Sequence, residues 1–179
     1  MEFYMAKKVG IFYGSDTGHT EEAAQLMKEL LGDDVADVFD VRSVADASVL
    51  LNYDLVILGT STWYLGEMQG DMDQFKDKLA DLDLQGRTFA LFGLGDQIEY
   101  ADYFIDGMGH LYHLLLEKGV KLIGAWPNNT YTFNSTLSLL EGDSTKFAGL
   151  ALDEDNQSDL TPERVALWLD QIKGEAGIA

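Results

Sequence analysis

Seven residues carry the first recognisable chemistry of this chain: Gly14-Ser15-Asp16-Thr17-Gly18-His19-Thr20. They follow the apolar run Val9-Gly10-Ile11-Phe12-Tyr13 and precede a helix-like pattern over 21–31. Ser15, Thr17 and Thr20 supply hydroxyls, and Gly14 and Gly18 allow a ligand close to the backbone. A loop joining a strand to a helix start aims N–H groups and a positive dipole end at one point. It contains no Lys or Arg, so a phosphate here would be held by neutral donors alone. The plainer alternative is a strand–helix turn whose threonines cap the helix. It is not a P-loop, because Gly14 and Gly18 stand too close together and His19 occupies the place of the required Lys; G-x-G-x-x-G is missing too.

Two more loops have unusual content. Thr60-Ser61-Thr62-Trp63-Tyr64-Leu65-Gly66-Glu67 follows an apolar run at 55–59 and places a Trp on a loop. Its flat face either covers a planar ring or folds onto its own loop as a plug. Gly93-Leu94-Gly95-Asp96-Gln97-Ile98-Glu99-Tyr100-Ala101-Asp102-Tyr103-Phe104 follows the run at 88–92. There Tyr100 is either a second aromatic plate or a staple at the next helix. Taken together, a phosphate cradle and two aromatic plates at neighbouring strand ends describe a site for a flat ring with a phosphate tail.

Positioning these loops requires strands and helices in alternation. Of the apolar runs at 8–13, 35–41, 55–59, 88–92 and 120–125, several are near-continuous, as in strands covered on both faces. Helical spacing appears at 21–31 (Ala24, Met27, Leu30, Leu31), at 71–82 (Met72, Phe75, Leu79) and at 102–118 (Ile105, Met108, Tyr112, Leu115, Leu116). Thr161-Pro162-Glu163 opens a last helix through Val165, Leu167, Trp168 and Ile172. A short helix is expected around 47–51. The alternation predicts an α/β fold with a parallel sheet and helices on both sides, ligands lying beyond the carboxyl ends of the strands. The segment 126–146 interrupts it and separates 120–125 from a second apolar run at 147–152.

The chain has 179 residues, 46% of them hydrophobic, enough for one domain with a sizeable core. Residues 1–6 read as an N-terminal extension, 7–173 as the domain and 174–179 as a C-terminal tail. No stretch approaches the ~20 apolar residues of a membrane span, and the start lacks a basic n-region, so a cytoplasmic location is expected. Cysteine is absent, which excludes thiol and Cys-ligated iron–sulfur chemistry. Any redox role must use a bound organic cofactor. Thirty-one acids against 12 bases give a formal charge of -19, which argues against nucleic acid. The charge suits either a basic protein partner or a solvated surface adapted to solubility or salt. His110 and His113 stand three apart without an evident third ligand, so no metal is expected.

Over residues 7–172 the sequence closely resembles the flavodoxins, through Ser15–Thr20, Thr62-Trp63 and Phe92-Gly93-Leu94-Gly95-Asp96-Gln97 running to Tyr100. The segment before Phe147 and the stretch Gly149-Leu150-Ala151-Leu152-Asp153-Glu154-Asp155-Asn156-Gln157 resemble the long-chain branch. The resemblance implies a flavodoxin-like three-layer sandwich, with a five-stranded parallel sheet of order 2-1-3-4-5 and an insertion in the last strand. It implies non-covalently bound FMN, with the phosphate on Ser15, Asp16, Thr17, Gly18, His19 and Thr20. Thr60, Ser61, Thr62, Trp63, Tyr64, Leu65 and Gly66 would flank the ring on one side, and Gly93, Leu94, Gly95, Asp96, Tyr100, Asp102 and Phe104 on the other. His19 stands where the family commonly has Asn; protonated, it would add positive charge beside the phosphate.

The implied activity is that of a low-potential one-electron carrier without a substrate site of its own. Partners would be a ferredoxin/flavodoxin–NADP reductase and basic-faced low-potential acceptors, such as a radical enzyme or nitrogenase, with the carrier itself a monomer. Carboxylates at Glu67, Asp96, Glu99 and Asp102 would oppose an anionic reduced ring. One charge ~10 Å away at an effective dielectric near 20 costs roughly 1–2 kcal/mol before screening. In flavodoxins a peptide beside the loop Trp turns over during reduction. Here it matches Tyr64–Leu65, where Tyr is expected to make the turn-over harder than Gly would. A quinone or nitro reductase would need an open pocket over the ring. A receiver domain would need acidic residues where Tyr13-Gly14 and Gly59-Thr60 stand.

Overall fold

A computed structural model describes residues 8–178. The expected extension at 1–6 lies outside the described residues. The central sheet is built from β1 (Val9–Tyr13), β2 (Ala36–Asp40), β3 (Leu55–Trp63) and β5 (Thr88–Leu94), in the parallel order β2-β1-β3-β5. The fifth position is filled by two short strands in line along β5. β6 (Lys121–Ile123) pairs with Thr88–Ala90, and β10 (Leu150–Leu152) pairs with Phe92–Leu94. This is the expected 2-1-3-4-5 sheet with its last strand interrupted. The chain between the two halves forms a separate antiparallel sheet of β7 (Trp126–Pro127), β9 (Asp143–Phe147) and β8 (Leu139–Leu140). β4 (Glu67–Met68) pairs antiparallel with the end of β3.

The strand side chains divide by period two. Val9, Ile11 and Tyr13 of β1 enter one core with Ala24 and Met27 of α1 (His19–Leu31) and with Val165, Trp168 and Ile172 of α5 (Thr161–Ala176). Phe12 enters the other core, with Phe75 and Leu79 of α2 (Gly70–Ala80) and Met108, Leu111 and Leu115 of α3 (Asp106–Glu117). Trp168 is fully buried and its indole N–H donates to the Gly124 carbonyl at 2.9 Å. Truncating such a residue to Ala typically costs about 3–5 kcal/mol. Chain return from the insertion is equally tight: a Cβ at Gly149 would lie 2.1 Å from the Leu91 carbonyl oxygen.

Several expected boundaries move. β3 and β5 run past 59 and 92, to Trp63 and Leu94. The helix expected from Asp102 starts at Asp106, because Ile105 adopts a left-handed φ of 52°, and 101–103 form a separate 3-10 turn. The short helix near 47 is a 3-10 helix, Ala47–Asn52, capped by Asp46, whose carboxylate accepts from the Ser48 N–H at 3.0 Å. Leu30, Leu116 and Leu167, placed on apolar stripes by spacing, are exposed instead. α5 continues to Ala176, past the expected domain boundary at 173. No helix among the described residues is long and apolar enough to cross a membrane.

Candidate functional site

Beyond the carboxyl ends of β1, β3 and β5 lies a cavity of about 410 Å³. Its first wall is the β1–α1 loop, which contributes Thr17, His19 and Thr20. Gly18 precedes the helix with a φ of 97°, and among the described residues no side chain caps α1. The first-turn N–H groups of α1 are therefore without a side-chain cap, and His19 and Thr20 of that turn line the cavity. Ser15, Asp16 and Gly18 themselves are not on the cavity wall. The Ser15 hydroxyl accepts the Gly18 N–H at 3.1 Å and closes the loop. Asp16 turns toward the start of α2, accepting from the buried Gln69 amide at 2.9 Å. Gln69 also donates to Asp71 at 2.8 Å and accepts the Met72 N–H at 2.8 Å, so it joins the loop to α2.

The second wall is Ser61, Thr62, Trp63 and Tyr64. Trp63 is held by its indole N–H, which donates to the Ser61 hydroxyl at 2.9 Å. Thr62 Oγ1 accepts the Gly107 N–H at 2.9 Å. Tyr64 has a φ of 46°, a region that costs an L-residue roughly 1–2 kcal/mol. Thr60 is not at the cavity: it is fully buried and its hydroxyl donates to the neighbouring Ser61 carbonyl at 3.3 Å. Leu65 points to solvent, and Gly66 is buried against Asp106 and Tyr103.

The third wall follows β5 and contributes Leu94, Gly95, Asp96 and Tyr100. Burial works against the Asp96 charge, but the N–H groups of Glu99 and Ile98 and the Asn156 amide outweigh it and hold this carboxyl below the ordinary range. Three expected residues lie elsewhere. Gly93 is covered by Met108, whose Cβ would be 2.8 Å from a Cβ at that position. Asp102 accepts from the Asn134 amide at 2.9 Å, away from the cavity. Phe104 is a core residue packed against Tyr131, Phe133 and Phe147.

Tyr103, Glu154 and Asp155 also line the cavity, and none was singled out as a ligand-contacting residue from the sequence. Tyr103 comes from the 3-10 turn, and the two acids open the short α4 (Glu154–Gln157) directly after β10. The rule that ligands sit past strand ends was sufficient to find the acids. Asp155 is pushed above the ordinary carboxyl range by burial first, then by the charges of Asp96 and Asp153, with His19 acting the other way. Among the described residues no Lys or Arg lines the cavity. His110 and His113 each bond a backbone carbonyl, of Gly66 and Leu137 respectively, and no group of three potential metal ligands occurs among the described residues.

Residues 11–168 match the flavodoxin family. The flavodoxin of Nostoc sp. is 44% identical over 174 residues, covering 97% of this chain and all of that protein. Flavodoxin 1 of Escherichia coli K12 is 45% identical over 166 residues, covering 93% of each. The crystal structure of Fusobacterium nucleatum flavodoxin bound to flavin mononucleotide superposes with a TM-score of 0.85 at 33% identity, covering 94% of this chain and 98% of that one. An interrupted fifth strand, a cavity at the strand ends and identity along nearly the whole chain lead to one assignment: the chain belongs to the flavodoxin family.

Proposed function

We propose that the chain is an electron carrier that holds FMN non-covalently in the strand-end cavity, with its phosphate at the start of α1 and its ring between Trp63 and Tyr100. The observation that carries this reading is the convergence of an uncapped helix start, an indole and a phenol on one cavity. The donor set suits the group. Thr17, Thr20 and the first N–H groups of α1 offer neutral hydrogen bonds to a phosphate, and the helix dipole favours its charge. Trp63 and Tyr100 offer flat apolar surface for a heterocycle. When bound, FMN supplies a ring that takes up and releases electrons one at a time. The protein is an electron-transfer protein and not an enzyme, and its residues tune how readily the ring accepts charge. Asp96, held ionised by three N–H donors, disfavours extra negative charge on the ring, as do Glu154 and Asp155 at the rim.

The purified protein is expected to be yellow, and the cofactor-free form to take up one equivalent of FMN with quenching of flavin fluorescence. A colourless protein that ignores excess FMN refutes the reading.

For partners we propose basic-faced redox proteins, a ferredoxin/flavodoxin–NADP reductase on the donor side and low-potential enzymes beyond, met by a monomer in the cytoplasm. The net charge of -19 and the exposed Tyr64, Leu65, Ile98 and Tyr100 beside the cavity support an acidic docking face with an apolar centre. Reduction by such a reductase should slow steeply as salt is raised from the physiological range; a salt-independent rate counts against it.

A further inference from the structure

The turn Tyr64-Leu65-Gly66 reaches out beside the cavity with little packing of its own: Tyr64 and Leu65 are each 73% exposed. Its position is instead fixed by polar contacts with α3. The Gly107 N–H donates to Thr62 Oγ1 at 2.9 Å on the near side of the turn. One helical turn further on, His110 Nε2 lies 3.1 Å from the Gly66 carbonyl oxygen on the far side. A carbonyl only accepts, so Nε2 carries the hydrogen. Gly66 itself is pressed onto the first turn of α3 with a φ of 87°; a Cβ there would stand 3.0 Å from Asp106 Oδ2 and 3.1 Å from Tyr103 Cδ1. Asp106 is buried, accepts the Ser135 hydroxyl, and lies at i,i+4 from His110.

Resting on the reading of the cavity as the FMN site, we infer that His110 is a positioning residue for that site: its Nε2–H holds the Gly66 carbonyl and thereby sets where the Tyr64 backbone stands against the ring. His110 is exposed, so it contributes direction and little burial. The donor is present in both the neutral Nε2–H tautomer and the protonated ring, so the anchor does not depend on protonation. Ser135, from the insertion, donates to Asp106 on the first turn of α3, next to Gly66.

The test compares His110→Ala with His110→Gln, whose amide nitrogen reaches about as far as Nε2 and also donates. In the FMN-free protein, amide exchange at residues 65–67 followed by NMR should be several-fold faster in His110→Ala. In the loaded protein the FMN dissociation constant should rise about three- to tenfold, the range set by one hydrogen bond. The two one-electron midpoints should also move relative to each other, which a general loss of stability would not produce. His110→Gln should restore all three to within about twofold of the unaltered protein. Unchanged exchange in His110→Ala, or His110→Gln as impaired as His110→Ala, overturns the inference. If the unaltered protein takes up no FMN, the functional reading falls instead, and exchange in the free protein still decides the anchor.

Discussion

The side-chain amide of Gln97 donates to the Asp153 carboxylate at 2.8 Å, and both residues are buried. The Gln97 N–H reaches the same oxygen at 3.2 Å, and Asn156 adds its N–H at 3.1 Å and its side-chain amide at 2.9 Å. The free end of Gln97 accepts the Thr132 N–H at 2.7 Å. One pair thus fastens the Tyr100 loop to the start of α4 and to the insertion. Asp153→Ala leaves several buried donors without an acceptor. It should destabilise the FMN-free protein by about 2–4 kcal/mol, read as a lower urea midpoint. FMN should bind more weakly as the Tyr100 loop loosens. An unaltered midpoint contradicts the role given to the pair.

Trp63 and Tyr100 should each matter to cofactor retention. Stacking of a heterocycle on an aromatic side chain is worth about 1–3 kcal/mol. Trp63→Ala and Tyr100→Ala should therefore weaken FMN binding roughly 5- to 150-fold in fluorescence titrations. Both sit on the cavity wall, so small effects on folding stability are expected. If either variant binds as tightly as the parent, that side chain does not face the ring.

Tyr64 occupies a left-handed conformation that Gly adopts without strain. Tyr64→Gly should stabilise the native turn by up to about 1 kcal/mol, less the entropy that Gly adds to the unfolded chain. A more mobile peptide at 64–65 should also ease the first electron relative to the second. The gap between the two one-electron midpoints should widen by tens of millivolts, since about 1.4 kcal/mol corresponds to about 59 mV. A narrower gap on potentiometric titration rules this out.

Asp155 combines a raised carboxyl pKa with a place on the cavity wall. A carboxyl raised in the folded state opposes folding once ionised, so its contribution becomes unfavourable as pH climbs from 3.8 through the raised value. Asp155→Asn should gain stability over the parent at pH 7 and lose that advantage near pH 3.5, compared by urea unfolding at the two pH values. Removing the charge should also raise the reduction potential by roughly tens of millivolts at low ionic strength, and by less in 0.15 M salt. A potential that does not respond, or that falls, excludes Asp155 from tuning the ring.

Legibility in the sequence followed the range of the interactions. The β1–α1 loop was readable because its glycines and hydroxyls sit at a local strand–helix junction. Trp63 and Tyr100 were readable because large aromatics after strands are conspicuous. The left-handed Ile105 was not, since nothing local demands it: its carbonyl is held by the Ser138 hydroxyl at 2.7 Å, from 33 residues away. Ile105 is the N-cap of α3, and the two residues before it diverge, Tyr103 lining the cavity and Phe104 lying in the core. Gln69, Gln97 and Asp153 were missed for the same reason, as their partners lie in other loops. Leu30 and Leu116 were misplaced because helical spacing names an apolar stripe without saying how much of it a neighbour covers.

The divided fifth strand has a consequence for the order of assembly. β6 can dock on β5 as soon as 121–123 have emerged, but β10, and with it Glu154 and Asp155, arrives only after the insertion has been made. During synthesis on the ribosome the cavity therefore lacks the side that carries Glu154 and Asp155 until residue 155 has been made.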